Sequence, residues 1–218
     1  MNTETNVLSS LDLERFFSDH QGQYDLVEGT SHNPCGTRMV YLPEDAIRGI
    51  YTALFDEAGP ACSMIMKNCG ILWGRRVAAN LERELKLMFE TTPGEVSVSV
   101  FIDLVEGYFA AHGWGRMSIN LDSATDKGYL TARIENSIFT DVLDPSYGNV
   151  NSMISGMLKS IFETLAKAEL DAIEIDCKRG EISSSIFLIS GAERIEAIEE
   201  KVESGTDSET ILQSVARS

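Results

Sequence analysis

Between Pro43 and His112 the apolar residues of this chain return every three or four positions, the period of a helix face. From Met117 onward they begin to alternate, the period of a strand. Pro43, Glu44 and Asp45 open the first strong helix: proline suits the first turn, and acids there complement the helix dipole. Ile47, Ile50, Tyr51 and Leu54 share its apolar face, and Gly59-Pro60 ends it. A second helix is predicted over Ala61–Phe89. Its first half (Cys62, Met64, Ile65, Met66, Cys69) is apolar on most sides, which predicts burial. Its second half is amphipathic, with Arg83, Glu84 and Lys86 on the wet side. Gly70 and Gly74 lie one turn apart on one face, each costing up to about 1 kcal/mol relative to alanine. Close approach of another backbone or a ligand would offset that cost. A third helix is predicted over 95–112, with Gly113 placed to cap it, although Val96, Val98 and Val100 also suit a strand.

Met117, Ile119 and Leu121 then alternate with Ser118 and Asn120, and Leu130, Ala132 and Ile134 alternate with Thr131 and Arg133. The turn-rich stretch 122–128 between them makes this an antiparallel hairpin. The clearest helix follows, with Met153, Ile154, Met157, Leu158, Ile161, Phe162 and Leu165 in one continuous stripe. A second hairpin is predicted next, with Ile173, Ile175 and Cys177 facing the core and Glu174 and Asp176 facing away. It turns at 178–181 and returns over 184–189. Before the first strong helix, the pattern predicts a short helix over 11–17, a polar loop through Gly36 and an extended segment over 37–42. After the last strand it predicts two short amphipathic helices around Gly205, the second capped by Thr206 or Asp207. The order of elements implies an α+β fold: an antiparallel sheet of about four strands packed with several helices. The organisation expected is an N-terminal extension (1–36), a central domain (37–190) and an acidic helical tail (191–218).

At 218 residues the chain can bury one sizeable core. Its formal net charge of -16 makes phosphate backbones and anionic headgroups poor partners, so nucleic acid is not expected. No stretch reaches the length of a membrane-spanning helix and no signal peptide is visible, so the expected location is cytoplasmic. The four cysteines (Cys35, Cys62, Cys69, Cys177) are scattered without a C-x-x-C pair, the pattern of free thiols rather than of a disulfide framework or a zinc site.

The sequence holds no P-loop, dinucleotide fingerprint, G-x-S-x-G elbow or H-x-x-x-H spacing. Cys62 and Cys69, seven apart, suit one face of a buried helix, where buried thiols are usually structural. His112, Trp114 and Met117 cluster at the end of the third helix. Histidine and methionine can ligate haem iron and tryptophan can stack on a macrocycle, although a histidine at a helix C-terminus also serves the dipole.

Several pieces in order resemble the 4-vinyl-reductase-like domain family. They are Arg38-Met39-Val40-Tyr41-Leu42-Pro43 leading into a helix, Gly70-x-x-x-Gly74 in the next, Gly113-Trp114-Gly115 before a strand, Asn136-Ser137 closing the hairpin, and Cys177 with Gly180 and Phe187. The resemblance spans residues 38–189. It departs at Ser185, where the family commonly carries a second cysteine, which leaves Cys177 without the second thiol of that pattern.

The resemblance implies the fold of haem nitric-oxide sensor domains and of TRAPP tethering-complex core subunits. It further implies a non-catalytic accessory protein that binds a hydrophobic ligand, such as a chlorophyll-type tetrapyrrole, haem or bilin. Such a protein would assist pigment handling or photosystem assembly, as a homodimer, in the cytoplasm or peripheral to photosynthetic membranes. The ligand pocket would lie between the sheet and the second and third helices, lined by Cys69, Gly70, Trp73, Gly74, His112, Trp114, Met117 and Cys177. Two other readings accompany it: a ligand-free dimerisation scaffold, and an enzyme of chlorophyll vinyl-group reduction.

Overall fold

A computed structural model of the chain describes residues 12, 16, 17, 23–33 and 35–216. The helix expected over 11–17 falls largely outside the described residues. The polar loop expected before Gly36 contains a small hairpin, β1 (Gln23–Asp25) and β2 (Thr30–His32). The segment 37–42 makes a single bridge, His32 to Arg38, rather than a strand. Three helices follow: α1 (Glu44–Ala58), α2 (Ala61–Phe89) and α3 (Val98–Ala111). The valine-rich start of α3 resolves as helix because Ser97 caps it, its Oγ accepting the Val100 N–H at 3.3 Å.

The main sheet is antiparallel, in the order β3 (Arg116–Asn120), β4 (Tyr129–Glu135), β6 (Ser184–Gly191), β5 (Leu170–Lys178). A single turn of helix, α4 (Ala124–Lys127), closes the first hairpin. Between the hairpins lie α5 (Ile138–Val142) and α6 (Ser152–Ala166). The tail forms three short helices, not two: α7 (Ala192–Glu196), α8 (Glu199–Glu203) and α9 (Ser208–Val215). Asp207 caps the last, accepting the Thr210 N–H at 2.9 Å.

Each face of the sheet carries its own core. Ala132, Ile134, Ala172, Phe187 and Ile189 face the larger one, built with α2, α3 and α6. Tyr129, Ile175 and Leu188 face a smaller one, closed by Ile195, Ile198, Ile211 and Val215 of the tail. The cost of glycine inside helices is offset where α2 crosses α6. A Cβ on Gly70 would sit 2.0 Å from the Met153 carbonyl oxygen, and one on Gly156 would sit 2.1 Å from that of Lys67. Backbone meets backbone there, and only hydrogen fits.

Strand β5 departs from simple alternation. Glu174 pairs with Phe187 but Asp176 pairs with Ile186, so Ile175 is an inserted bulge residue. The expectation that Ile173, Ile175 and Cys177 share the core face is therefore corrected. Ile173 and Ile175 serve the tail core, while Glu174 turns into the opposite side and is buried. Cys177 pairs with Ser185 after the bulge and is largely exposed. The buried pair expected of Cys62 and Cys69 is also corrected: Cys62 is buried and Cys69 is exposed, because a seven-residue offset on a straight helix drifts toward solvent at the edge of a narrow buried stripe.

Candidate functional site

The third helix ends at His112, and two glycines of positive φ, Gly113 (70°) and Gly115 (128°), bracket Trp114. A Cβ at Gly115 would lie 2.8 Å from the Glu135 carbonyl oxygen, so the second glycine lets the chain enter β3 tight against β4. This turn folds Trp114 back over α3. Its ring meets Phe109 edge-on at 5.2 Å and Tyr108 at 5.7 Å, and lies 5.0 Å from His112. Trp73 of α2 completes the group, meeting Trp114 in a T-shaped pair at 4.5 Å. Five rings from α2, α3 and the following loop thus converge. Phe109 is fully buried, while Trp73 remains 37% exposed. Neither indole N–H has an acceptor among the described residues.

The imidazole of His112 stacks on Tyr108 at 4.0 Å, and its Nδ1 lies 2.8 Å from the Tyr108 carbonyl oxygen. Burial, aided by the charge of Glu84, pushes the Tyr108 phenol well above its ordinary value, so it is a neutral hydroxyl at any working pH. Behind the cluster Leu81, Leu85, Leu104 and Ile134 are completely buried. The His112 ring packs against Tyr108 at 4.0 Å and Trp114 at 5.0 Å, an arrangement that does not fit an axial ligand facing a buried porphyrin.

Of the expected site residues, the structure brings together Trp73, His112 and Trp114 alone. Met117 is buried in the sheet, opposite Ile134. Gly70 and Gly74 are buried against α6 and Cys69 lies on the solvent side of α2. Cys177 belongs to a different group. Tyr108 and Phe109 of α3, which the sequence did not mark as site residues, are the missed members of the aromatic cluster. Their spacing before Trp114 was the available signal.

The second group is a buried polar clasp. Asn151, just before α6, accepts from Ser137 Oγ at 2.8 Å through Oδ1. Its Nδ2 reaches Thr140 Oγ1 (2.8 Å), Glu174 Oε1 (2.8 Å) and Ser185 Oγ (3.0 Å). Arg179 donates to the carbonyl oxygens of Thr140 and Leu143 at 2.6 and 2.8 Å. Burial raises the Glu174 carboxyl above the ordinary range, with hydrogen bonds from Ser185, Asn151 and Cys177 opposing it. Although Cys177 as a residue is exposed, its sulfur is partly desolvated beside the clasp, which pushes the thiol up, so it is not an activated thiolate. The clasp ties α5, α6, β5 and β6 together. Ser185, standing where the resembled family commonly has cysteine, serves it as an acceptor.

Two open clefts lie elsewhere. One, of about 630 Å³, opens between the start of α3 and the β3 edge, beside Ile102, Ile119, Leu121 and Arg133. Nearby, Glu106 of α3 accepts the Ile119 N–H at 2.6 Å and ties the helix to β3. The other, of about 610 Å³, lies on the β1–β2 hairpin. Both are wide open to solvent and neither has convergent aromatic groups, so the chemistry favours the ring cluster. Among the described residues no group of three or more His, Cys, Asp or Glu could hold a metal ion, and no helix is long and apolar enough to cross a membrane.

Neither a protein-family model nor a curated protein matches the chain. Solved structures do. The phenol-responsive sensory domain of the transcription activator PoxR, solved with phenol, aligns over 91% of this chain and 100% of its own length, with a TM-score of 0.65 and 16% identity. A vinyl-4-reductase family protein from Methanocaldococcus jannaschii aligns over 70% of this chain and 83% of its own, with a TM-score of 0.46 and 11% identity. A trafficking protein particle complex subunit 3 from Naegleria fowleri, covalently bound to palmitic acid, aligns over 67% and 93%, with a TM-score of 0.48 and 9% identity. Fold relatives of the vinyl-reductase and tethering-complex kinds were those expected from the sequence. The α+β architecture of this chain is that of the phenol-responsive sensory domain.

Proposed function

We propose that this chain is a ligand-binding module whose ligand is a compact, planar hydrophobic molecule held against Trp73, Tyr108, His112 and Trp114. The observation that carries the reading is the convergence of five rings from separate segments beside the partly exposed Trp73, with two indole N–H groups that have no acceptor among the described residues. A flat apolar ring would meet the aromatic faces, and an oxygen on it would accept from an indole N–H. The fold is shared, over 91% of this chain, with a domain that responds to phenol, which supports a ligand of that size and class. The clasp around Glu174 and Cys177 has no activated nucleophile to offer, so the reading is one of binding, as a sensor or carrier, rather than of catalysis. The pigment-handling role implied by the sequence resemblance is the large-ligand version. A tetrapyrrole would lie across the outer edge of Trp73, which is 37% exposed, with one face in solvent.

The two tryptophans of the chain both belong to the cluster, so tryptophan emission reports on this place alone. Titration with phenol, protoporphyrin, haem, chlorophyllide and a linear bilin should give saturable quenching with one of them. Trp114→Ala should weaken that binding about tenfold or more, near the worth of a well-placed aromatic contact. Saturation by phenol selects the small-ring version and saturation by a tetrapyrrole selects the pigment version. No saturable change with any of the five, or binding indifferent to Trp114→Ala, would end the proposal.

A further inference from the structure

Glu84 of α2 is an acid in the interior, 1% exposed, and two of its donors come from outside the helices. Asn33 Nδ2 and Thr37 Oγ1 donate to its Oε1 at 2.6 and 3.0 Å. Arg83, the preceding residue of α2, donates in turn to Thr37 Oγ1. The turn that supplies these donors is closed on itself. The Asn33 N–H donates to the Thr37 carbonyl oxygen at 2.9 Å and the Thr37 N–H to Asn33 Oδ1 at 2.8 Å. The Met39 N–H donates to the Ser31 carbonyl oxygen at 2.8 Å, which ties the turn to strand β2 and so to the β1–β2 hairpin.

Glu84 also reaches toward the rings. It lies about three turns after Trp73 on α2, with the buried Val77 and Leu81 on the same side between them. Its charge acts on the Tyr108 phenol, the ring on which His112 stacks. The N-terminal chain touches α3 as well. Phe17 packs so closely on Gly107, the neighbour of Tyr108, that a Cβ there would lie 2.2 Å from its ring. Segments ahead of α1 thus hold both helices that present Trp73 and Tyr108.

We infer that Glu84 is a positioning residue that links the turn around Asn33 to the ring cluster, so that occupancy of the cluster is passed to the N-terminal hairpin. The inference rests on the ligand reading and makes the module a sensor rather than a carrier. A buried carboxylate gives the link two discrete states. With the turn closed, the Asn33 and Thr37 donors offset its loss of water. With the turn open, a carboxylate short of two donors is costly to keep between the buried Leu81 and Leu85, and this face of α2 shifts with it. A ligand stacked on Tyr108 and Trp114 favours the first arrangement and hence the closed turn, and such a linkage is reciprocal.

The two tryptophans report on the cluster with no ligand present. Asn33→Ala with Thr37→Val removes two donors to Glu84 and changes no residue of α2 or α3. It should raise the acrylamide quenching of tryptophan emission, whereas Asp25→Ala at the hairpin tip should not. The double variant should also bind phenol about fivefold more weakly or worse, the lower end of coupling between sites. In the parent chain, saturating phenol should slow hydrogen exchange at the Asn33, Thr37 and Met39 amides by the same factor, a result independent of how well the variant folds. Quenching that ignores the double variant overturns the inference. Saturable phenol binding that leaves those three exchange rates unchanged also overturns it, while the ligand reading stands. If phenol never saturates but the quenching responds, the small-ring version of the ligand reading falls and the link between turn and rings holds.

Discussion

In the C-terminal tail Ile195, Ile211 and Val215 are completely buried against the outer face of the sheet, whereas Leu26 and Val27 at the tip of the N-terminal hairpin stand almost wholly in solvent. Both elements are short, and both are attached to the outside of a larger α+β body. The tail reached its position by burying an apolar face and leaving its glutamates in water, so its acidity is the wet side of an ordinary core. The hairpin reached its position through polar bonds to Glu84, so its apolar residues are left over. The comparison teaches that charge in the sequence marked the element that is structurally satisfied. The element with unsatisfied apolar surface lay in a stretch that reads as a polar loop.

The strongest way to break this contrast is to remove a tail side chain. Ile211→Ala should cost about 3 kcal/mol, the usual range for a buried isoleucine reduced to alanine, and should lower the urea midpoint. A loss of less than about 0.5 kcal/mol would mean that the tail is not part of the folded core.

Strand β5 serves both sides, giving Ile175 to the tail core and Glu174 to the clasp by alternation, and the bulge at Ile175 brings Cys177 round to the side of Glu174. Burial holds the Glu174 carboxyl above the ordinary range, so the folded chain keeps that proton to higher pH than the unfolded chain does. Between the unfolded and folded pKa values the folded state binds more protons, and this group's contribution to stability falls as pH rises through that window. Above the folded value the full cost of the buried charge is present. Glu174→Gln should remove this fall while costing about 1 kcal/mol at low pH. Urea midpoints of parent and variant, compared from about pH 4 to about pH 8, should converge or cross as pH rises. A constant gap across the range would show that Glu174 does not titrate in the clasp.

The smallest effect on folding is expected at the hairpin tip. Leu26→Ser with Val27→Ser should change the stability of the chain by no more than about 0.5 kcal/mol, as exposed substitutions do. A larger loss would mean that these residues pack within the fold, which would close the gap between hairpin and tail.

Periodicity located α2 over Ala61–Phe89 and both hairpins of the main sheet, because amphipathic faces on a helix and on a half-buried strand repeat at fixed local intervals. The same residues predicted close approach at Gly70 and Gly74, and the neighbour proved to be the backbone of α6. Of the aromatic cluster, Trp73, His112 and Trp114 were legible, since tryptophan and histidine are scarce and sat beside helix ends. Tyr108 and Phe109 were hidden among the apolar positions of α3.

What the sequence determined by itself is therefore local: which segments coil, which extend, where glycine and proline end them, and that the chain has one dominant apolar body. What only the tertiary structure decided is which polar residues go inside. Glu174 read as an outward residue because alternation assumes one wet face, and here both faces of the sheet are covered, while the residue inserted at Ile175 reverses only the faces beyond it, at Asp176 and Cys177. Asn151, Ser137, Thr140 and Ser185 are unremarkable in sequence and meet only when α5, α6 and two strands assemble. The exposure of Leu26 and Val27 was equally invisible, because burial depends on what the rest of the fold brings alongside, and there nothing among the described residues covers them.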